Sequence, residues 1–175
     1  MAWNIADPVL IAQGLGAFGF VLIFLSPFVR RRRVFLLMDI SGLAPVALHY
    51  ALLGAPVGAA LSLLYIAMDV VSGLRVRYAV ARYAYWLFYP AGIVITYLTF
   101  SSLYGLAALA GTLFAIRSRQ HPSFATLKIL IFLSAVGWGV YGFYAQSWSQ
   151  MIFSVAYAGS SLFGATRELR RPTHG

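Results

Sequence analysis

Ser62, Tyr65, Asp69 and Ser72 recur at spacings of three, four and three residues, and Ser154, Tyr157, Ser161 and Gly164 repeat those spacings later in the chain. On a helix, such spacings stack side chains on one face. Hydroxyls offer hydrogen bonds in both directions, and tyrosine adds a ring on which a solute can stack. Two such stripes face to face in an apolar bundle would line a hydrated cavity and hold a small polar solute, aromatic ones included. The other reading is that serines and small residues knit membrane helices together by close packing. Both remain open on residue type and spacing alone.

The charged residues inside apolar stretches are few. Asp39 and Asp69 each cost on the order of 3 kcal/mol at a bilayer centre, so each is expected to face a partner or a water-filled space. Lys128 lies a turn into its helix, as Asp39 does, and the two are placed to meet as an inner gate or ion pair. Alternatively both snorkel to the nearby surface. Asp69 is assigned to an arginine of the Arg75–Arg82 cluster, with proton coupling as the other role. His49 lies near the outer end of its helix, about a turn from Pro45, as a hydrogen-bonded pocket-mouth or packing residue. Trp138 is deep enough to stack on a solute. His49, His121 and His174 are too dispersed for a metal site. Gly14-x-Gly16-x-x-Gly19 spells a dinucleotide fingerprint, but no strand precedes it and it lies within a span, so it reads as helix packing. Asp7, Asp39, Asp69 and Glu168 are the whole acidic inventory. With no nucleophile–base pair and no cofactor motif, an enzyme is not expected.

The elements that must position these residues follow from composition. The chain of 175 residues is 61% hydrophobic and 10% charged, against roughly 25% charged in soluble domains. Most of its surface must therefore face lipid. No cysteine is present, which excludes disulfides and thiolate metal sites. The formal net charge of +9 comes from clusters at the ends of apolar runs. It reads as topology rather than as a nucleic-acid face. Those runs predict seven transmembrane helices at about 6–29, 34–53, 57–74, 83–100, 102–116, 124–145 and 148–166. The connections Gly54-Ala55-Pro56, Phe100–Ser102 and Gln146-Ser147 are short. All basic clusters fall on one side when the N-terminus is outside and the C-terminus inside. Met1–Pro8 lacks a basic n-region and reads as an external start with Trp3 at the interface. Pro45 and Pro90 are expected to kink their helices.

An offset of about 92 residues brings Ser62-x-x-Tyr65 onto Ser154-x-x-Tyr157, Arg75 onto Arg167 and His49 onto Tyr141. Repeats separated by a single helix are parallel. The expected architecture is therefore an all-α, polytopic membrane protein with a three-plus-one-plus-three bundle in one domain: residues 6–76, a connecting helix at 83–100, and residues 102–168.

Ile11-Ala12-Gln13-Gly14-Leu15-Gly16 opens the first span, and Leu48-His49-Tyr50-Ala51-Leu52-Leu53-Gly54-Ala55 closes the second. On these stretches, and through Gly137-Trp138 and the arginine-ended last span, the chain resembles the YgjV-type family of bacterial inner-membrane proteins. The resemblance implies a location in that membrane and an architecture related to the SWEET, SemiSWEET and PQ-loop transporters, with two three-helix bundles around a central route. The proline–glutamine signature is absent. Pro27-Phe28 stands in the first span, and its counterpart in the fifth has no proline, which puts a symmetrical hinge in doubt. The expected function is passive or proton-linked movement of a small polar solute by alternating access. Ser62, Tyr65, Ser154 and Tyr157 would bind at the midplane and Trp138 and His49 in the outer half, while Asp39 and Lys128 close the inner side. The alternative is a non-transporting assembly or envelope-maintenance protein on the same fold. The partners are the lipid bilayer and the solute. A bundle this small leaves room for a homo-oligomer, though no single lipid-facing stripe demands one.

Overall fold

The computed structural model describes residues 8–26, 32–74, 83–120 and 124–170, and among these the chain is all helix with no strand. Seven α-helices follow in order: α1 Pro8–Leu25, α2 Arg32–Leu52, α3 Pro56–Leu74, α4 Phe88–Leu98, α5 Gly105–Gln120, α6 Phe124–Tyr144 and α7 Trp148–Leu169. The three short connections expected from sequence all reverse the chain, and two use the left-handed backbone region, at Gly54 (φ 66°) and Gln146 (φ 53°). Glycine adopts that conformation without steric cost. Trp3, Pro27-Phe28, the Arg75–Arg82 cluster, His121 and His174 lie outside the described residues, as do the side chains of Ser72, Arg167 and Glu168.

Two boundaries differ from expectation in ways that matter. Helix α5 continues to Gln120 rather than stopping at Ile116. A charge ends an apolar run without ending helix propensity, and arginine is a good helix former. That extra turn carries Arg119 on the same helical face as Thr112 and Ala115. In the fourth element, a 3₁₀ turn, Tyr85–Leu87, precedes α4. Pro90 falls in the first turn of α4, where a proline removes no helical hydrogen bond. It starts the helix rather than kinking it. Pro45 lies within a continuous α2.

Six of the helices close a ring. Helix α1 packs on α2, α2 on α3, α3 on α5, α5 on α6, α6 on α7, and α7 returns to α1. Helix α4 packs against both α3 and α5 from outside, so it braces the ring without entering it. Close backbone approach is built on glycine at two crossings. A Cβ on Gly42 would meet the Gly19 carbonyl at 2.6 Å, and one on Gly137 would meet the Ala107 carbonyl at 2.6 Å. The third glycine of the apparent dinucleotide fingerprint is therefore a packing residue. So is Gly16, whose Cβ would meet His49 at 2.8 Å, whereas Gly14 faces open space.

The outer surface is apolar around the ring. Phe18, Leu37, Leu63, Tyr97, Leu103, Ile152, Val155 and Phe163 are all exposed. A continuous apolar exterior of this kind is what lipid solvates. Helix α1 and the stretch 126–144 of α6 are each long and apolar enough to cross a bilayer, and shorter apolar stretches occupy Leu36–Leu52, Pro56–Val71 and Tyr85–Leu98.

Candidate functional site

The ring encloses a cavity of about 370 Å³ to which all six of its helices contribute. That is the lower end of the size range of small-molecule sites. Ser62 and Tyr65 of α3 line one wall, and Ser154 and Tyr157 of α7 line another. The serine–tyrosine pairs singled out by spacing are thus brought to one space. Trp138 of α6 joins them, its indole Nε1–H donating to the Tyr65 hydroxyl at 3.2 Å, with the rings edge to face at 5.9 Å. Phe20 and Tyr157 stack on either side of Phe153, at 4.9 and 5.1 Å between centroids.

Much of the wall's hydrogen-bonding capacity is already committed. Ser62 Oγ donates to the Gly58 carbonyl of its own helix at 2.8 Å. Gln150 accepts from the Tyr50 hydroxyl at 2.8 Å and donates to Ser154 Oγ at 2.6 Å. The Tyr157 hydroxyl makes no hydrogen bond among the described residues and lines the cavity.

One end of the bundle, where the three reversing connections lie, is shut by neutral hydrogen bonds that cross the ring. His49 Nδ1 is 2.7 Å from the Ala12 carbonyl and Nε2 is 2.6 Å from Ser147 Oγ. A carbonyl only accepts, so Nδ1 carries the proton and, in the neutral ring, Nε2 accepts from the serine. Beside it the Tyr141 hydroxyl accepts from the Gly58 N–H at 2.9 Å, and Gln13 donates to the Gln146 carbonyl at 2.8 Å. His49 is fully buried in this seam and does not line the cavity. The structure therefore gives it a packing role in place of direct contact with the cavity.

The opposite end is ionic. Arg119 of α5 reaches between Asp69 of α3, at 3.2 Å, and Asp39 of α2, at 3.7 Å. Asp39 Oδ1 also accepts from Ser26 Oγ at 2.7 Å. Asp39 and Arg119 line the cavity, whereas Asp69 is buried behind them. Both Asp69 carboxylate oxygens lack a hydrogen-bond donor, so its contact with Arg119 is ionic only. The Arg119 guanidinium also lies 5.3 Å from the centroid of the Tyr65 ring, within cation–π range.

These contacts correct the pairing expected of Asp39. The cation beside Asp39 is Arg119 and not Lys128, whose Nζ donates to the Gly164 carbonyl at 3.3 Å. Asp69 also meets Arg119, while the arginines of the Arg75–Arg82 cluster expected beside it lie outside the described residues. Arg119 and Gln150 are the residues that sequence reasoning missed. A signal for Arg119 was present in the Thr112, Ala115, Arg119 spacing of four, three and four after Ala108, which continues a small-residue face into the charge.

Among the described residues no group of three or more metal-ligating side chains is present. No curated protein and no solved structure matches the chain. Residues 10–171 match a family described as a bacterial inner membrane protein. That span takes in the ring, both of its closed ends and the cavity between them, and on it the chain belongs to the Imp-YgjV family of bacterial inner membrane proteins.

Proposed function

We propose that this inner-membrane protein moves a small solute by alternating access between two three-helix units, α1–α3 and α5–α7, joined by α4. The observation that carries the reading is the cavity walled by both units, with Ser62 and Tyr65 on one and Ser154 and Tyr157 on the other. An offset of 92 residues also carries Gly19, the crossing glycine of α1, onto Gly111 in α5, which packs against Trp138 and the Ser134 carbonyl. This favours parallel repeats, an arrangement in which transporters bind at the repeat interface. The two ends are shut by different contacts, each spanning both units, as two alternating gates require. Arg33, Arg117, Arg119 and Lys128 cluster toward the ionic end, which the positive-inside rule assigns to the cytoplasm.

One observation favours the non-transporting reading. Helix α5 runs unbroken from Gly105 to Gln120 without a proline, so the second unit lacks the hinge that a symmetrical rocking motion would use.

The test is thermal stability of the purified protein against a broad solute panel, followed by uptake into liposomes. A cavity ligand at 100 times its dissociation constant stabilises the fold by about 2.7 kcal/mol. We expect a hit that is lost in Tyr65→Ala and Tyr157→Ala and that accumulates in proteoliposomes. A bound solute that never crosses would transfer the assignment to the non-transporting reading. A solute whose binding survives alanine at Ser62, Tyr65, Trp138, Ser154 and Tyr157 together would remove the cavity from the function.

A further inference from the structure

We propose that the solute of this cavity is an organic cation, a protonated amine or guanidinium group carried on an apolar or aromatic body, with Asp39 as its counter-ion. The inference deepens the transport reading and rests on it.

Charge arithmetic is the first support. Among the described residues, two buried carboxylates share one guanidinium at the ionic end. Arg119 lies closer to Asp69 than to Asp39, and neither oxygen of Asp69 accepts a hydrogen bond. Asp39, the one of the two carboxylates that lines the cavity, is therefore the less completely paired with the guanidinium. Its Oδ2 is 3.7 Å from Arg119, beyond hydrogen-bonding distance. A buried carboxylate in that condition is costly until a cation reaches it. An ammonium group in the cavity would supply both the charge and the missing donors. An anionic solute would meet the field of Asp39 while Arg119 was held by Asp69.

The second support is what the walls cannot do. A polyhydroxylated solute needs many free donors and acceptors. Ser62, Gln150, Tyr65 and Trp138 spend much of that capacity on Gly58, Tyr50, Ser154 and each other. What the cavity offers instead is aromatic surface from Phe20, Phe153, Tyr157 and Trp138. Aromatic faces attract cations and accept flat apolar bodies equally well.

The experiment uses the full chain in detergent and a matched series on one carbon skeleton: 4-hydroxyphenethylamine, the corresponding alcohol, and 4-hydroxyphenylacetate. Sodium chloride at equal ionic strength controls for an inorganic cation. Binding is read by titration calorimetry. The amine is expected to bind at least about tenfold more tightly than the alcohol, with the carboxylate weakest. Asp39→Asn should erase that preference while leaving the alcohol's weak affinity, and Asp39→Glu, which keeps the charge, should retain it. If Asp39→Asn does not fold, the wild-type series still decides. Equal affinity for amine and alcohol, a preference unchanged in Asp39→Asn, displacement of the amine by sodium at matched ionic strength, or no binding of any member would each overturn the inference. Where the alcohol binds as well as the amine and both are lost in Tyr65→Ala, the organic cation fails but the central cavity stands. The wider solute panel judges the transport reading separately.

Discussion

The two ends of the ring are closed by opposite chemistries. At the end with the short connections, His49, Tyr141, Gln150 and Ser147 are buried, and each makes at least one hydrogen bond at 2.9 Å or less. At the other end, three charged groups meet at 3.2 and 3.7 Å, and Asp69 has no hydrogen-bond donor at all. In a low-dielectric interior, satisfied neutral groups make a stable, specific contact. Charges that are paired but poorly hydrogen-bonded contribute little net stability, yet breaking the pair is costly. The difference teaches that the neutral end is built to stay shut at rest, while the ionic end depends on how its charges are matched.

The largest effect should come from breaking that match. Arg119→Met leaves Asp39 and Asp69 buried without their cation, and a loss of roughly 3–5 kcal/mol is expected. Adding Asp39→Asn and Asp69→Asn should recover most of it, because the penalty lies in the orphaned charges and not in lost packing. Thermal unfolding in a single detergent measures both. If the single variant unfolds like the parent, the ionic end is not an electrostatic closure and the contrast between the ends collapses.

At the neutral end the corresponding loss should be smaller. His49→Ala removes its two hydrogen bonds, but Ser147 Oγ keeps the Gln150 N–H and Ser149 as partners, so a loss of about 1–3 kcal/mol is expected. Restoring charge elsewhere has no bearing on it, so combining His49→Ala with Asp69→Asn should give an additive loss. Strong coupling between these distant sites would mean that the two ends are one cooperative unit. A finer probe is the Tyr50–Gln150 contact, which joins α2 to α7. Tyr50→Phe and Gln150→Leu, alone and together, should yield a coupling energy of about 1 kcal/mol in a double-mutant cycle.

How much of this was legible beforehand divides along the same line. Apolar runs and short polar connections place five of the helices closely, because in a membrane the length of a span and its flanks are set by the bilayer. The serine–tyrosine stripes were legible because helical spacing alone puts them on a face, and the ring turns both faces inward. Charge partners were not. Arg119 counted as one more cytoplasmic cation, and its role depends on α5 continuing past Ile116 and on the rotation of α5 against α2 and α3. Pairing Asp39 with Lys128 rested on pseudo-symmetry, which relates helices to one another but says nothing of which side chain reaches across the ring. His49 was readable as polar and buried. That its partners would be a carbonyl of α1 and a serine of the Ala145–Ser147 turn follows only from tertiary packing.

The smallest effect expected here separates two glycines within the neutral end. Gly14 and Gly16 are two residues apart on α1, and a motif reading treats them alike. A Cβ on Gly14 meets nothing within 4 Å, whereas one on Gly16 meets His49 at 2.8 Å. Gly14→Ala therefore only restricts the unfolded chain and improves helix propensity, for a gain of about 0.5–1 kcal/mol at most. Gly16→Ala must displace the Ser149 hydroxyl and push the imidazole away from the Ala12 carbonyl or from Ser147, weakening the hydrogen bonds of the seam. Unfolding temperatures of the two variants should consequently move in opposite directions. Movement in the same direction would mean that α1 does not rest on His49 at all, and the neutral seam would lose the contact that defines it.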